Sequence, residues 1–95
     1  MSEPVAIEIF LPSLLVPAAG GKSSVIVEAA TVQGCLDALI AAHPGVGPHL
    51  FDDAGVLRQH VNVFWNERST RWLDSLEQPV QPGDTITVLQ AVSGG

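Results

Sequence analysis

The sequence predicts an α+β domain: a mixed sheet of four to five strands with one main helix packed on one face. Three observations predict it. Val5, Ile7, Ile9 and Leu11 occupy alternate positions, the period-two pattern of a half-buried strand. From Val32 to His43 the apolar residues recur instead at helical spacing. A final apolar run, Asp84-Thr85-Ile86-Thr87-Val88-Leu89, follows the turn-forming Gln81-Pro82-Gly83 and returns to strand composition.

Each element follows in order. Pro12 ends the clean pairing of the first strand, because proline has no N–H to give a ladder. Leu14, Leu15, Val16 and Pro17 lead through Ala18-Ala19-Gly20-Gly21-Lys22, a long hairpin connection with a glycine turn near its end. Ser24–Glu28 is the second strand, antiparallel to the first. Thr31 is placed to cap a helix, its hydroxyl accepting from an unpaired first-turn N–H. Val32, Cys35, Leu36, Leu39, Ile40 and His43 form one stripe of that helix, with Asp37 on the watery side. Gly34 weakens it by about 1 kcal/mol relative to alanine, and Pro44-Gly45 stops it. Residues 46–58 are irregular, with Leu50 and Phe51 expected to plug the sheet edge and Asp52-Asp53-Ala54-Gly55 to turn. His60–Trp65 is a strand, Asn66-Glu67 begins a turn, and Thr70-Arg71-Trp72 is expected to pair weakly with that strand. Leu73–Val80 is a connector in which Leu76 is the expected buried residue. Strand–strand–helix–strand–(strand)–strand is a β-grasp layout. A ferredoxin-like fold would need a second amphipathic helix, and Leu73–Gln78 is too short to supply one. The expected division is a β-grasp domain over residues 1–90 and a flexible tail over 91–95.

Ninety-five residues make one small domain, and 46% apolar with 15% charged residues is a globular composition. Ten acids against Lys22, Arg58, Arg68 and Arg71 give a formal net charge of −6. That balance disfavours nucleic acid, whose phosphates require a basic patch, and would steer a basic protein partner instead. One cysteine, Cys35, excludes an internal disulfide and suits a reducing compartment. No secretory leader opens the sequence and no apolar run is long enough to span a bilayer. The expectation is a cytoplasmic protein without a membrane partner.

The sequence closes with Val92-Ser93-Gly94-Gly95. Two glycines make a thin peptide able to adopt conformations closed to other residues. The α-carboxylate of Gly95 is expected to be free and ionised at neutral pH. Such an arm suits insertion into a narrow active site on another protein, although small residues at a chain end are also compatible with simple fraying.

Three stretches carry a family resemblance. Pro82-Gly83-Asp84 through Ala91-Val92-Ser93-Gly94-Gly95 is similar to a Gly-Asp turn, apolar strand, Ala-Val linker and Gly-Gly end. Val61-Asn62-Val63-Phe64-Trp65-Asn66 is similar to a central strand and turn. Ile9-Phe10-Leu11-Pro12 with Gly20-Gly21-Lys22 looks like a lengthened first hairpin. Together they resemble the ubiquitin-like sulfur carriers of the MoaD/ThiS type, nearest the subgroup linked to cysteine synthesis. Gln90 departs from the pattern, since relatives often carry proline there.

The resemblance implies a protein co-substrate rather than an enzyme, with no intrinsic catalytic residue, no metal site and no bound cofactor. An E1-like adenylating and sulfur-transferring enzyme would use ATP and Mg²⁺ to form an acyl-adenylate on Gly95. Sulfur would then displace AMP to leave a thiocarboxylate. Gly95 would carry the sulfur, Gly94 give clearance, and Ser93 and Val92 set reach. The enzyme would supply the cations, none of this chain's own being expected near the tail. A sulfur-accepting synthase and a metal-dependent peptidase are the further partners implied. A ubiquitin-like modifier joined through Gly95 to lysines, and an inert β-grasp interaction module, are the alternatives.

Other residues are weighed against this. Phe10, Ile26 and Phe64 have parity opposite to the buried positions of their strands, so they are candidates for a docking patch on an open sheet face. Arg68 and Arg71 are candidate rim contacts, or simply solvated. Cys35 on the helix stripe reads as a small core residue. His43 suits a helix C-terminus; His49 and His60 lack metal spacing. Trp65 and Trp72 are expected to be buried against the sheet. Gly20-Gly21-Lys22 lacks the spacing of a phosphate loop.

Overall fold

The structure, a computed structural model, describes residues 3–73 and 75–90. Five strands form one mixed sheet: β1 (Val5–Phe10), β2 (Ser24–Ala29), β3 (Val61–Trp65), β4 (Arg68–Ser69) and β5 (Thr85–Gln90). Their spatial order is β2-β1-β5-β3-β4. β1 pairs antiparallel with β2 and parallel with β5, and β3 pairs antiparallel with both β5 and β4. The helix α1 (Val32–Ala42) crosses one face, and a single turn, α2 (Gly47–Leu50), lies in the long connection to β3. This is the β-grasp arrangement.

The alternation that predicts β1 sets the core. Ile7 and Ile9 pair with Val27 and Val25 across β2, and Ile9 pairs with Ile86 across β5. All face α1, which buries Val32, Cys35, Leu36 and Leu39. Val61, Val63 and Val88 extend the same layer. Burying such side chains contributes about 1.5–3 kcal/mol each.

The N–H groups of Val32, Gln33 and Gly34 at the start of α1 have no partner within the helix, and each is answered here before the helical ladder begins at Cys35. Val32 N donates to Gln78 O and Gln33 N to Leu76 O. Gly34 N donates to the Thr31 hydroxyl at 2.9 Å, and Cys35 N to Thr31 O. The connector before β5 is thus fastened along the start of the helix, with Thr31 and Pro79 bridged. Val80, not Leu76, is its buried residue; Leu76 packs only partly against the core.

Two further expectations are corrected, and two connections prove more regular than the sequence alone suggests. The chain paired with β3 is Arg68–Ser69, whereas Thr70–Trp72 forms a 3-10 turn capped by Ser69. The tight turn at Asn66, which has φ 57, brings Arg68 directly opposite Trp65, so pairing starts before Thr70. Trp72 is 84% exposed rather than buried, because that 3-10 turn lifts it off the sheet. The hairpin between β1 and β2 contains two 3-10 turns, Ser13–Leu15 and Pro17–Ala19, which send Leu15 and Ala19 into the core. Residues 44–50 are likewise helical, with Val46 and Leu50 fully buried.

Candidate functional site

β5 is the element that would present the tail, and it is held from both ends and both sides. Its start is fixed by the Asp84 carboxylate. Oδ2 accepts from Trp65 Nε1 at 2.9 Å and from Gln81 N at 2.8 Å, and Oδ1 accepts from Asn66 Nδ2 at 3.1 Å. Asn66 in turn accepts from Thr85 N through Oδ1 and donates its own N–H to Thr85 O. Burial alone would raise the Asp84 pKa, but these three donors outweigh it and hold the carboxyl below its ordinary range. Gly83, at φ 92, supplies the left-handed residue that the preceding turn requires.

β5 runs parallel to β1, so its far end lies at the same end of the sheet as the long hairpin. Gln90, the last described residue, stands opposite Val61. It shares parity with Ile86 and Val88, and its Oε1 is buried without a hydrogen-bond donor. Val92, Ser93, Gly94 and Gly95 lie outside the described residues.

The face of the sheet away from α1 carries the residues of opposite parity. Ser24, Phe10, Thr87, Phe64 and Ser69 stand in one row across all five strands. Phe10 is 41% exposed, Ile26 68% and Leu89 47%, while Phe64 is half-buried. Glu8 sits opposite Ile26 and accepts a hydrogen bond from Ser24 Oγ. The face is therefore apolar in patches with an acidic neighbour, and Phe10, Ile26 and Phe64 all belong to it.

The two candidate rim arginines differ. Arg68 projects exposed from β4. Arg71 is neither free nor merely solvated. Its Nε donates to Asn62 Oδ1 at 2.9 Å, and its Nη2 donates to Gln59 O and Val61 O at 2.6 and 3.0 Å. Asn62 faces Leu89 and Val61 faces Gln90 across β3 and β5. A guanidinium of this chain is thus fixed beside the root of the tail, contrary to the expectation that no cation stands there. Two elements remote in the linear order, the 3-10 turn and the start of β3, had to meet before this could be seen.

Other candidates settle into structural roles. Cys35 is fully buried, and burial, with a smaller contribution from the charge of Asp84, pushes its thiol up to about 11. Asp52 Oδ1 accepts from Ala54 N and Val56 N, closing the turn expected there. His43 caps the end of α1, and His49 and His60 are exposed. Among the described residues no group of three or more His, Cys, Asp and Glu could hold a metal ion. No helix among them is long and apolar enough to cross a membrane.

Fold and site define a class: a small β-grasp protein whose last strand, braced at its start and flanked by an apolar open face, precedes a Gly-Gly end by three residues. Residues 9–95 match the model of the ThiS family, and the chain belongs to that family. The sulfur carrier protein CysO of Mycobacterium tuberculosis is 31% identical over 91 residues, covering 94% of this chain and 98% of the relative. Small archaeal modifier protein 1 of Haloferax volcanii is 38% identical over 66 residues, covering 70% of this chain and 71% of the relative. A chain of the Amycolatopsis orientalis BexX/CysO complex superposes with a TM-score of 0.84 at 34% identity, covering 95% of this chain and all of the other.

Proposed function

We propose that this protein is a sulfur carrier, a protein co-substrate whose Gly95 is converted to a thiocarboxylate by a separate adenylating enzyme. The observation that carries the reading is a Gly-Gly end three residues beyond β5 in a chain that belongs to the ThiS family and is similar over most of its length to CysO. The domain supplies a rigid body and the tail supplies the chemistry. A carboxylate is a poor acyl donor because oxide is a poor leaving group. Attack of the Gly95 carboxylate on the α-phosphate of ATP forms an acyl-adenylate and releases pyrophosphate. A sulfide or persulfide sulfur then adds to the carbonyl carbon and AMP leaves, the C–O bond to phosphate being replaced by C–S. From a persulfide, the S–S bond must then be reduced by a thiol to free the thiocarboxylate. The nucleotide, Mg²⁺ and thiol belong to the partner's chemistry.

The partners of this reading are the adenylating enzyme, a synthase that accepts the sulfur, and a metal-dependent peptidase acting where the carrier has been joined to its product. The open face with Phe10, Ile26 and Phe64 would dock the first. Likeness to small archaeal modifier protein 1 supports a second reading, in which the activated Gly95 is passed to lysines of other proteins.

Removal of Gly94 and Gly95 tests the division of labour. The shortened chain is expected to unfold in urea at the same midpoint as the full chain, yet to support no ATP–pyrophosphate exchange by the adenylating enzyme. Exchange at the full rate without the two glycines would contradict it.

A further inference from the structure

The charge of this chain is unevenly placed. Residues 58–72 hold Arg58, Arg68 and Arg71, three of its four cations, and only Glu67 of its ten acids; Asp74 is the next acid along the chain. Arg58 is occupied elsewhere, its Nε donating to Pro48 O. Arg68 and Arg71 instead line the edge formed by β4 and the 3-10 turn Thr70–Trp72. Trp72 stands on that edge at 84% exposure. Beside it an open groove of about 940 Å³ is lined by Phe64, Trp65, Asn66, Arg68 and Trp72, with Glu67 the one acid on its wall. Arg71 is held rigidly by its three hydrogen bonds, and its Nη1 has no partner among the described residues. The groove lies at the start of β5 and Arg71 at its end, so the edge runs the length of the strand that leads to the tail.

We propose that this edge, which adjoins the open sheet face at Phe64 and Ser69 and extends it past β4, receives an acidic, apolar-bearing segment of the partner protein that takes the tail. The occupant follows from the chemistry. Two guanidiniums call for carboxylates, with Arg71 pre-organised so that little side-chain freedom is lost on pairing. An exposed indole beside a groove calls for an apolar or aromatic side chain, the kind of anchor that dominates protein interfaces. On a molecule of net charge −6 the basic edge is also an orienting device. A partner that is basic over the acid-bearing remainder and acidic here is steered into one register, with the tail pointing at its active site. The surface rests on the sulfur-carrier reading only for the identity of the partner.

Two experiments decide it. In the first, the ¹⁵N-labelled chain is titrated with a synthetic peptide of alternating glutamate and leucine, and with its lysine–leucine counterpart. Shifts are expected at Asn62, Arg68, Arg71 and Trp72 with the acidic peptide alone, lost in high salt and weakened about tenfold by Arg68→Glu. Shifts confined to Phe10 and Ile26, equal binding of the basic peptide, or preferential binding of single-stranded RNA would overturn the proposal. So would self-association of the unliganded chain that Arg68→Glu abolishes, since the occupant would then be a second copy. In the second, the probe is the adenylating enzyme. Arg68→Glu and Trp72→Ala are expected to raise KM for the carrier about tenfold and leave kcat intact; an unchanged KM overturns the proposal. Absence of adenylation in the unsubstituted chain would count against the sulfur-carrier reading, and the peptide titration would still decide the edge.

Discussion

The indole Nε1 of Trp65 donates a 2.9 Å hydrogen bond to Oδ2 of Asp84, joining the end of β3 to the residue before β5. The bond explains both partners. Trp65 is at the core-facing parity of β3 and needs a polar partner for its N–H. Asp84 needs donors to keep a charge beside the core, and Gln81 N, Trp65 and Asn66 provide them. The strand that leads to the tail therefore begins at a fixed point.

Asp84→Asn is expected to lower stability by about 1–3 kcal/mol, the usual cost of leaving hydrogen-bonded partners unmatched. The pH dependence has a definite sign. The folded-state pKa of Asp84 is depressed, so its contribution is present above the unfolded carboxyl value and is lost as pH falls through the folded one. Urea midpoints measured from pH 6 downward should fall below about pH 4, and less steeply in Asp84→Asn. Parallel curves for the two proteins would remove Asp84 from the account.

Gly34→Ala should not stabilise the protein, although propensity alone predicts a gain of about 1 kcal/mol. A Cβ there would stand 3.1 Å from Thr31 Oγ1 and 3.3 Å from the Ala29 Cβ. The hydroxyl is pinned as the acceptor of Gly34 N, and Ala29 has no flexible end to move aside. A urea midpoint equal to or below that of the parent is expected; a rise worth the full propensity gain would show that the cap yields.

Cys35 should be unreactive in the folded protein. It is fully buried with its thiol pushed up to about 11, so at pH 8 there is neither access nor appreciable thiolate. A disulfide-exchange reagent should label it only after urea unfolding, and stoichiometric labelling of the native chain would refute the core assignment.

Periodicity made β1, β2, α1 and β5 legible, because each has one face in the core and one in water and so writes its period into the sequence. Thr31 was legible as a cap because the hydroxyl and the N–H it accepts from are three residues apart. The 3-10 turns at 13–15, 17–19 and 70–72 were not, since three residues are too few to show a period. Trp72 shows the consequence: aromatic character suggested burial, and the turn that exposes it left no signal. The roles of Asp84 and Arg71 were hidden for another reason. Each depends on partners on other strands, and Arg71 becomes a clamp only once β3 lies beside the 3-10 turn. The Gly-Gly end stands out by composition alone, and the role proposed for it needs no tertiary partner within the chain.

The central claim is most directly tested by the intact mass of the protein purified from its own cells under non-oxidising conditions. A population heavier by the replacement of one oxygen with one sulfur, with fragmentation placing the change on Gly95, is the predicted result. A chain carrying only an ordinary carboxylate, in cells where the adenylating enzyme is active and downstream sulfur acceptance is blocked, would contradict it.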